Sequence, residues 1–280
     1  MKKGINIDSP TFATHFLKMH PEGSNNILAS GTGFVYQYED IIYLITNGHN
    51  ITRVNPEQTE RIHNSIAYPT TITTKARIYS DEKPDHIGIS ESFVIDLYND
   101  QKMKDPKWFI HPEKGYLVDV VAIPIANCEE VPKHIKFFPI NNYNFDTEYP
   151  PEIADDVFIL GYPFNITGNL ELPVWKRGTI ASEPVINIEN LPKMYIDTAT
   201  RPGMSGSPVI MKRTGIHGFD GKAMRGKELI GTIFNFIGVY SGRIGAEDEF
   251  KAQLGIIWKE EVILEILNSK VKGDIKFQNI

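Results

Sequence analysis

The sequence predicts an all-β fold of two β lobes of about equal size, closed by a C-terminal helix. Three observations predict it: short β-rich runs separated by turn residues along most of the chain, an Asn- and Pro-rich stretch near the middle, and one segment of helical periodicity at the end. With 280 residues, 41% of them hydrophobic, the chain is long enough to bury a sizeable core.

The first lobe is expected over residues 13–125. Residues 13–19 read as a strand, and 32–47 as a hairpin in which Gly33-Phe34-Val35-Tyr36-Gln37-Tyr38 turns at Glu39-Asp40 into Ile41-Ile42-Tyr43-Leu44-Ile45-Thr46. Further β-rich runs are 70–79, 92–97 and 117–125. The stretch 126–151, with Asn141-Asn142 and Pro150-Pro151, reads as the crossing between lobes. A second lobe is expected over 152–257, from runs at 157–160, 176–180, 194–197, 208–211 and 229–239. Residues 212–228, with Lys212, Arg213, His217, Lys222, Arg225 and Lys227 among several glycines, read as a long solvated loop. The closing helix is expected over 258–272, because Trp258, Val262 and Ile266 lie four apart with Ile263 and Leu267 beside them, and Gly273 stops the run.

Composition narrows the partners. A net charge of -6, from 29 basic and 35 acidic residues, gives no electrostatic reason to expect nucleic acid or an anionic membrane. No apolar run approaches the roughly 18 residues of a spanning helix. The start, Met1-Lys2-Lys3-Gly4-Ile5-Asn6-Ile7-Asp8, has no apolar core and no small-residue cleavage site, and Cys128 is the single cysteine. A cytoplasmic location is therefore expected, with no metal site and no cofactor, since neither His-Glu-X-X-His nor paired cysteines occur.

The segment richest in chemistry is Arg201-Pro202-Gly203-Met204-Ser205-Gly206-Ser207-Pro208-Val209. A serine hydroxyl attacks only if a base takes its proton and donors stabilise the oxyanion, and glycines beside it let N–H groups turn towards one point. An ordinary Gly/Ser turn is the plain alternative. An imidazole is offered by His49, at the end of the hairpin strand in Thr46-Asn47-Gly48-His49-Asn50; His15, His20, His63, His86, His111, His134 and His217 lack comparable context. The orienting carboxylate is Asp119, embedded in Leu117-Val118-Asp119-Val120-Val121-Ala122-Ile123, where an acid is costly unless hydrogen-bonded. An edge-strand aspartate facing water remains the alternative, with Asp85 and Asp96 as fallback acids.

Together these segments resemble the trypsin/chymotrypsin-like serine peptidases of the PA clan. Thr46-Asn47-Gly48-His49 is similar to the family's Thr-Ala-Ala-His, Asp119-Val120-Val121-Ala122 to its Asp followed by an apolar strand, and Gly203-Met204-Ser205-Gly206-Ser207-Pro208 to its Gly-X-Ser-Gly-Gly/Ser-Pro. The order His, Asp, Ser is also the chymotrypsin order. Gly31-Thr32-Gly33-Phe34 resembles the strand before the histidine hairpin in bacterial members; Gly161-Tyr162-Pro163, Arg177-Gly178-Thr179-Ile180 and Gly238-Val239-Tyr240-Ser241-Gly242 resemble second-barrel and cleft strands. The likeness runs from about residue 13 to 268.

That resemblance implies two six-stranded antiparallel β-barrels with the C-terminal helix, and a serine endopeptidase acting on polypeptides through an acyl-enzyme. It implies a triad of His49, Asp119 and Ser205, an oxyanion hole from the backbone of Gly203, Met204 and Ser205, and substrate contacts from Ala199, Thr200, Gly238, Val239 and Tyr240. Departures matter too. Met204 stands where digestive members carry the aspartate that pairs with a freed N-terminus, and no Ile-Val-Gly-Gly segment occurs near the start, so no such activation is expected; control is expected to come from a partner protein, a conformational change or expression level. Ala199 stands where trypsin has its specificity aspartate, so cleavage after Lys or Arg is not expected. Thr200 matches a threonine of glutamyl endopeptidases, but Tyr240 replaces their histidine; Arg201 and Arg243 are the charges that remain. A small, apolar or acidic P1 residue is the expectation.

The main rival is a catalytically silent peptidase fold used for binding. An α/β-hydrolase is disfavoured, because Ser207 replaces the last glycine of Gly-X-Ser-X-Gly and no acid separates Ser205 from the next histidine, His217.

Overall fold

In the first lobe, apolar residues run unbroken where strands are buried on both faces, as in 41–45 and 121–123, and alternate with polar ones elsewhere, as in 14–20. Seven strands contribute: β1 (Thr14–His20), β2 (Ala29–Tyr38), β3 (Ile41–Thr46), β4 (Thr71–Tyr79), β5 (Ile87–Asp96), β6 (Val121–Asn127) and β7 (Ile135–Lys136), with the short helix α1 (Gly48–Thr52) after β3. This is a computed structural model, which describes residues 7–57, 59–62, 67–79, 87–167, 169–199, 201–218, 228–243 and 254–279. The strands pair in the order β5-β4-β1-β2-β3-β6, with β7 also on β4, and every pairing is antiparallel. Leu44, Val121 and Ile123 point into the lobe's own core with Leu17, Met19 and Ile72. Their neighbours Tyr43, Ile45, Val120 and Ala122 point the other way, into a second core. The hairpin turns where expected: Tyr38 pairs with Ile41 across Glu39-Asp40, and Glu39 takes the positive φ of 52° that a two-residue turn favours.

The second lobe closes on itself. Its strands are β8 (Asp156–Gly161), β9 (Val174–Ile180), β10 (Lys193–Asp197), β11 (Pro208–His217), β12 (Leu229–Arg243) and β13 (Leu254–Lys259), joined as the barrel β10-β13-β12-β11-β8-β9. Val157, Ile159, Ile196, Val209, Met211, Ile233 and Ile257 fill it.

The core facing Tyr43 and Ile45 is shared by both lobes and by α2 (Glu261–Ser269). Leu160, Ile210, Phe236 and Val239 reach it from the second barrel, while Val262, Ile263, Ile266 and Leu267 of α2 close it. Each of those four helix residues, fully buried, contributes roughly 1.5–3 kcal/mol relative to exposure. The architecture is thus all-β, two-lobed and chymotrypsin-like with a short C-terminal helix.

Four local expectations need correction. The helix starts at Glu261, not 258: Trp258 is still in β13, and its four-residue spacing to Val262 arises because a strand end and a helix start present it to the same core. Gly273 does not stop the helix; Lys270 does, with φ 50°, and Gly273 instead lies against the Trp108 indole, where an added Cβ would sit 2.2 Å from Nε1. The expected loop 212–228 begins later, since β11 carries Lys212, Arg213 and His217 in register with Phe234, Ile233 and Leu229; its remaining basic residues, Lys222, Arg225 and Lys227, lie outside the described residues. The run 117–125 becomes a strand only from Val121, so Asp119 sits just before β6. No helix among the described residues is long and apolar enough to cross a membrane.

Candidate active site

The β3 strand ends at Thr46, and the chain turns directly into α1, which carries His49 in its first turn. Asn47 stands at the helix N-cap position, and its carboxamide N–H donates to the Asp119 carbonyl at 2.6 Å. Gly48 lets the two segments approach: a Cβ there would be 3.3 Å from Asp119 Oδ1. His49 consequently meets Asp119 twice. Its backbone N–H donates to Oδ1 at 2.9 Å, and its Nδ1 is 2.6 Å from Oδ2.

Asp119 is 1% exposed, and the cost of that burial is offset by hydrogen bonds. A third donor comes from Ser241, whose hydroxyl reaches Oδ2 at 2.5 Å. In the β12–β13 ladder Tyr240 pairs with Ile257 and Gly242 with Ile256, so Ser241 is the extra residue of a bulge, which re-aims its side chain. Because an ionised carboxylate only accepts, the shared proton sits on His49 Nδ1 and Nε2 is left as a base. Nε2 has no hydrogen-bond partner among the described residues and is not sealed from solvent. Burial opposes protonation of His49, but the charge and hydrogen bond of Asp119 outweigh it and hold the imidazole pKa above its ordinary value.

Other histidines show what sets this one apart. His111 also pairs with an acid, its Nε2 lying 2.7 Å from Glu265. Its Nδ1, however, accepts the N–H groups of Glu113 and Lys114, so neither ring nitrogen is free to act as a base. His15 is tied to the Lys75 carbonyl, His20 to that of Asn26, His217 to that of Gly231, and His134 to Glu91. His63 and His86 lie outside the described residues, as does the fallback acid Asp85. The other fallback, Asp96, is exposed beside Lys107.

The serine segment is shaped by two glycines in the left-handed region, Gly203 at φ 94° and Gly206 at φ 87°. A Cβ on Gly203 would sit 2.4 Å from the Tyr162 carbonyl, and one on Gly206 2.1 Å from that of Thr32, so neither position admits a side chain as built. Two hydrogen bonds fix the peptide planes: Phe164 N–H donates to the Pro202 carbonyl at 2.8 Å, and Ser207 N–H to that of Met204 at 3.1 Å. Those planes carry the N–H groups of Gly203 and Ser205, neither of which has an acceptor among the described residues. The Met204 side chain is fully buried in the second barrel, which anchors the loop. Ser205 is half-buried, its hydroxyl makes no hydrogen bond among the described residues, and its carbonyl accepts from Asn50, the residue after His49, at 3.1 Å.

The structure therefore pairs His49 with Asp119 and brings the Ser205 backbone against the His49 helix, with the His49 Nε2–Ser205 hydroxyl hydrogen bond unformed. Among the expected substrate contacts, Gly238 and Val239 are packed into the barrel wall, Val239 in the core between lobes. Tyr240 is buried, and its carbonyl accepts the Gly206 N–H at 2.9 Å. Ala199 is half-buried just past β10 and Arg201 is exposed; Thr200 lies outside the described residues, and of Arg243 only the backbone is described. Sequence reasoning missed Ser241, Asn50, Thr32 and Phe164. Of these only Ser241 carried a signal, a hydroxyl flanked by glycine at a strand end.

Residues 31–215 match the trypsin-like peptidase domain. A serine endoprotease from Yersinia pestis is similar in structure, with TM-score 0.51 at 13% identity over 95% of this chain and 67% of that chain, a likeness of fold. Rv3671c from M. tuberculosis H37Rv, in an inactive form, aligns with TM-score 0.45 at 15% identity over 94% of this chain and 90% of its own. No curated protein matches the chain. Because the matched residues span more than half its length, the chain belongs to the trypsin-like peptidase domain family.

Proposed function

We propose that this chain is a serine endopeptidase in which His49, Asp119 and Ser205 form the triad and the backbone N–H groups of Gly203 and Ser205, on either side of Met204, form the oxyanion hole. The observation that carries this is the state of His49: one ring nitrogen is committed to a buried carboxylate and the other is a free base, with the Ser205 backbone bonded to the next residue.

The steps follow from those roles. His49 Nε2 takes the Ser205 proton as Oγ attacks a peptide carbonyl, and Asp119 stabilises the imidazolium. The carbonyl oxygen gains its negative charge facing two N–H groups that have no other acceptor, which is where preorganised donors act most strongly. His49 then protonates the leaving amine. Water, deprotonated by His49, hydrolyses the acyl-enzyme and regenerates Ser205. Ala199 gives a P1 lysine or arginine no anion at that position, so small, apolar or acidic P1 residues are preferred. Cleavage of a diverse peptide library by the purified chain, with Ser205→Ala as blank, tests both reaction and preference; identical profiles for the two proteins would overturn the reading.

A second reading, a catalytically silent binding module, is favoured by one observation: the Ser205 hydroxyl is not hydrogen-bonded to His49. Peptide capture by wild type and Ser205→Ala alike, without cleavage, would establish it.

A further inference from the structure

The oxyanion loop belongs to the second lobe, yet its carbonyls are held by the first. The Ser205 carbonyl accepts the Thr32 N–H at 2.9 Å and the Asn50 carboxamide N–H at 3.1 Å. The Gly203 carbonyl accepts the Thr32 hydroxyl at 2.8 Å. Behind them the Asn50 carboxamide also donates to the Thr46 hydroxyl at 3.0 Å, and that hydroxyl donates to the Thr32 carbonyl at 2.7 Å. Thr32 and Thr46 are fully buried and Asn50 is 6% exposed, so the network is shielded from water that would otherwise compete for these carbonyls.

Packing leaves the network little slack. A Cβ on Gly31 would lie 2.8 Å from Asn50 Nδ2, and one on Gly206 2.4 Å from Thr46 Oγ1. The loop's peptide planes alternate along the chain. The planes carrying the Gly203 and Ser205 carbonyls follow directly on those carrying the Gly203 and Ser205 N–H groups, so holding the carbonyls restricts the rotations that would turn the N–H groups away.

We propose that Thr32 and Asn50 are positioning residues for acylation: from the first lobe they hold the Gly203 and Ser205 carbonyls and so keep the neighbouring N–H groups aimed at the substrate oxyanion. Asn50 follows His49 in α1, so one short helix supplies the base and sets the loop that it serves. This rests on the peptidase reading, and it makes correct docking of the lobes a condition for activity.

The test compares wild type, Thr32→Val, Thr32→Ser, Asn50→Ala and Ser205→Ala in three measurements: kcat and KM on a cleaved peptide, affinity for a peptidyl aldehyde that forms a tetrahedral adduct, and amide hydrogen exchange at Gly206 and Ser207. Thr32→Val and Asn50→Ala should lose about 10- to 100-fold in kcat with KM little changed, since misdirecting a donor costs less than deleting one. Aldehyde affinity should fall in parallel with kcat, Thr32→Ser should recover most of both, and exchange at Gly206 and Ser207 should speed up in the two damaged variants. Unchanged kcat in Thr32→Val and Asn50→Ala, or failure of Thr32→Ser to recover activity lost in Thr32→Val, overturns the proposal while the peptidase reading stands. If wild type turns over no faster than Ser205→Ala, that reading fails instead, and hydrogen exchange alone decides whether the clamp exists: faster exchange supports it and unchanged exchange overturns it.

Discussion

The base of the candidate site is oriented by side chains, whereas the serine loop is shaped mainly by its backbone path. His49 is oriented by a buried carboxylate that takes three hydrogen bonds, two from His49 and one from Ser241. Ser205 has no hydrogen bond to its hydroxyl among the described residues; its place is set by Gly203 and Gly206 at positive φ, by the buried Met204, by main-chain hydrogen bonds, and by Thr32 and Asn50 on the loop's carbonyls. The difference reflects what each group must do. A base has to be held in one tautomer, which requires a specific partner at Nδ1, whereas an oxyanion hole is built from peptide N–H groups and needs only the right chain path.

This contrast orders the expected effects of substitution. The largest belong to the reacting groups: Ser205→Ala or His49→Ala should lower turnover on the order of 10⁴-fold or more, and Ser205→Ala should do so with little change in melting temperature, measured by steady-state kinetics and calorimetry. Asp119→Asn should cost somewhat less in turnover and should also move the pH profile. Activity needs neutral His49, so it rises with pH through the His49 pKa, and Asp119 holds that pKa above the ordinary value. The acid limb of kcat/KM should therefore lie above pH 6.5 in wild type and fall to lower pH in Asp119→Asn, where burial acts without the opposing charge. A limb that does not move would break the assignment of base and acid.

Next come the backbone positions. Gly206→Ala forces a side chain into a positive-φ site against the Thr32 carbonyl and should destabilise by about 2 kcal/mol or more, with loss of activity. Gly115→Ala, at φ 53° with open space around it, should cost only about 1 kcal/mol and leave activity intact. Equal costs at the two positions would contradict a loop held by shape.

The smallest effect at neutral pH concerns His15 in β1. Burial pushes its pKa down to about 4, so the unfolded chain binds the proton more readily than the folded one between about pH 4 and the ordinary 6.5. Stability should fall as pH drops through that window, by at most about 1.4 kcal/mol per pH unit. His15→Gln should flatten the slope in urea unfolding between pH 6.5 and 4.5. An unchanged slope would assign the acid sensitivity to other groups.

How much was legible depended on whether a feature lived in local sequence. The hairpin, the pairing of His49 with Asp119 and the apolar face of α2 each sit within a few residues of their signals. Burial of an acid in an apolar run correctly demanded a partner for Asp119, and its partners are His49 and Ser241. What stayed hidden is non-local. Ser241 meets Asp119 only because a bulge turns it, and Thr32 meets Gly203 across 171 residues of chain. Trp258 misled because a strand running straight into a helix kept one apolar spacing through both.

The central claim is that Ser205 is a nucleophile made reactive by His49. Intact-protein and peptide mass spectrometry after exposure to a fluorophosphonate tests it most directly. The account predicts a single stoichiometric adduct on Ser205 in wild type and none in well-folded Ser205→Ala or His49→Ala. An unlabelled, folded wild type, or a label carried by another residue, would contradict it.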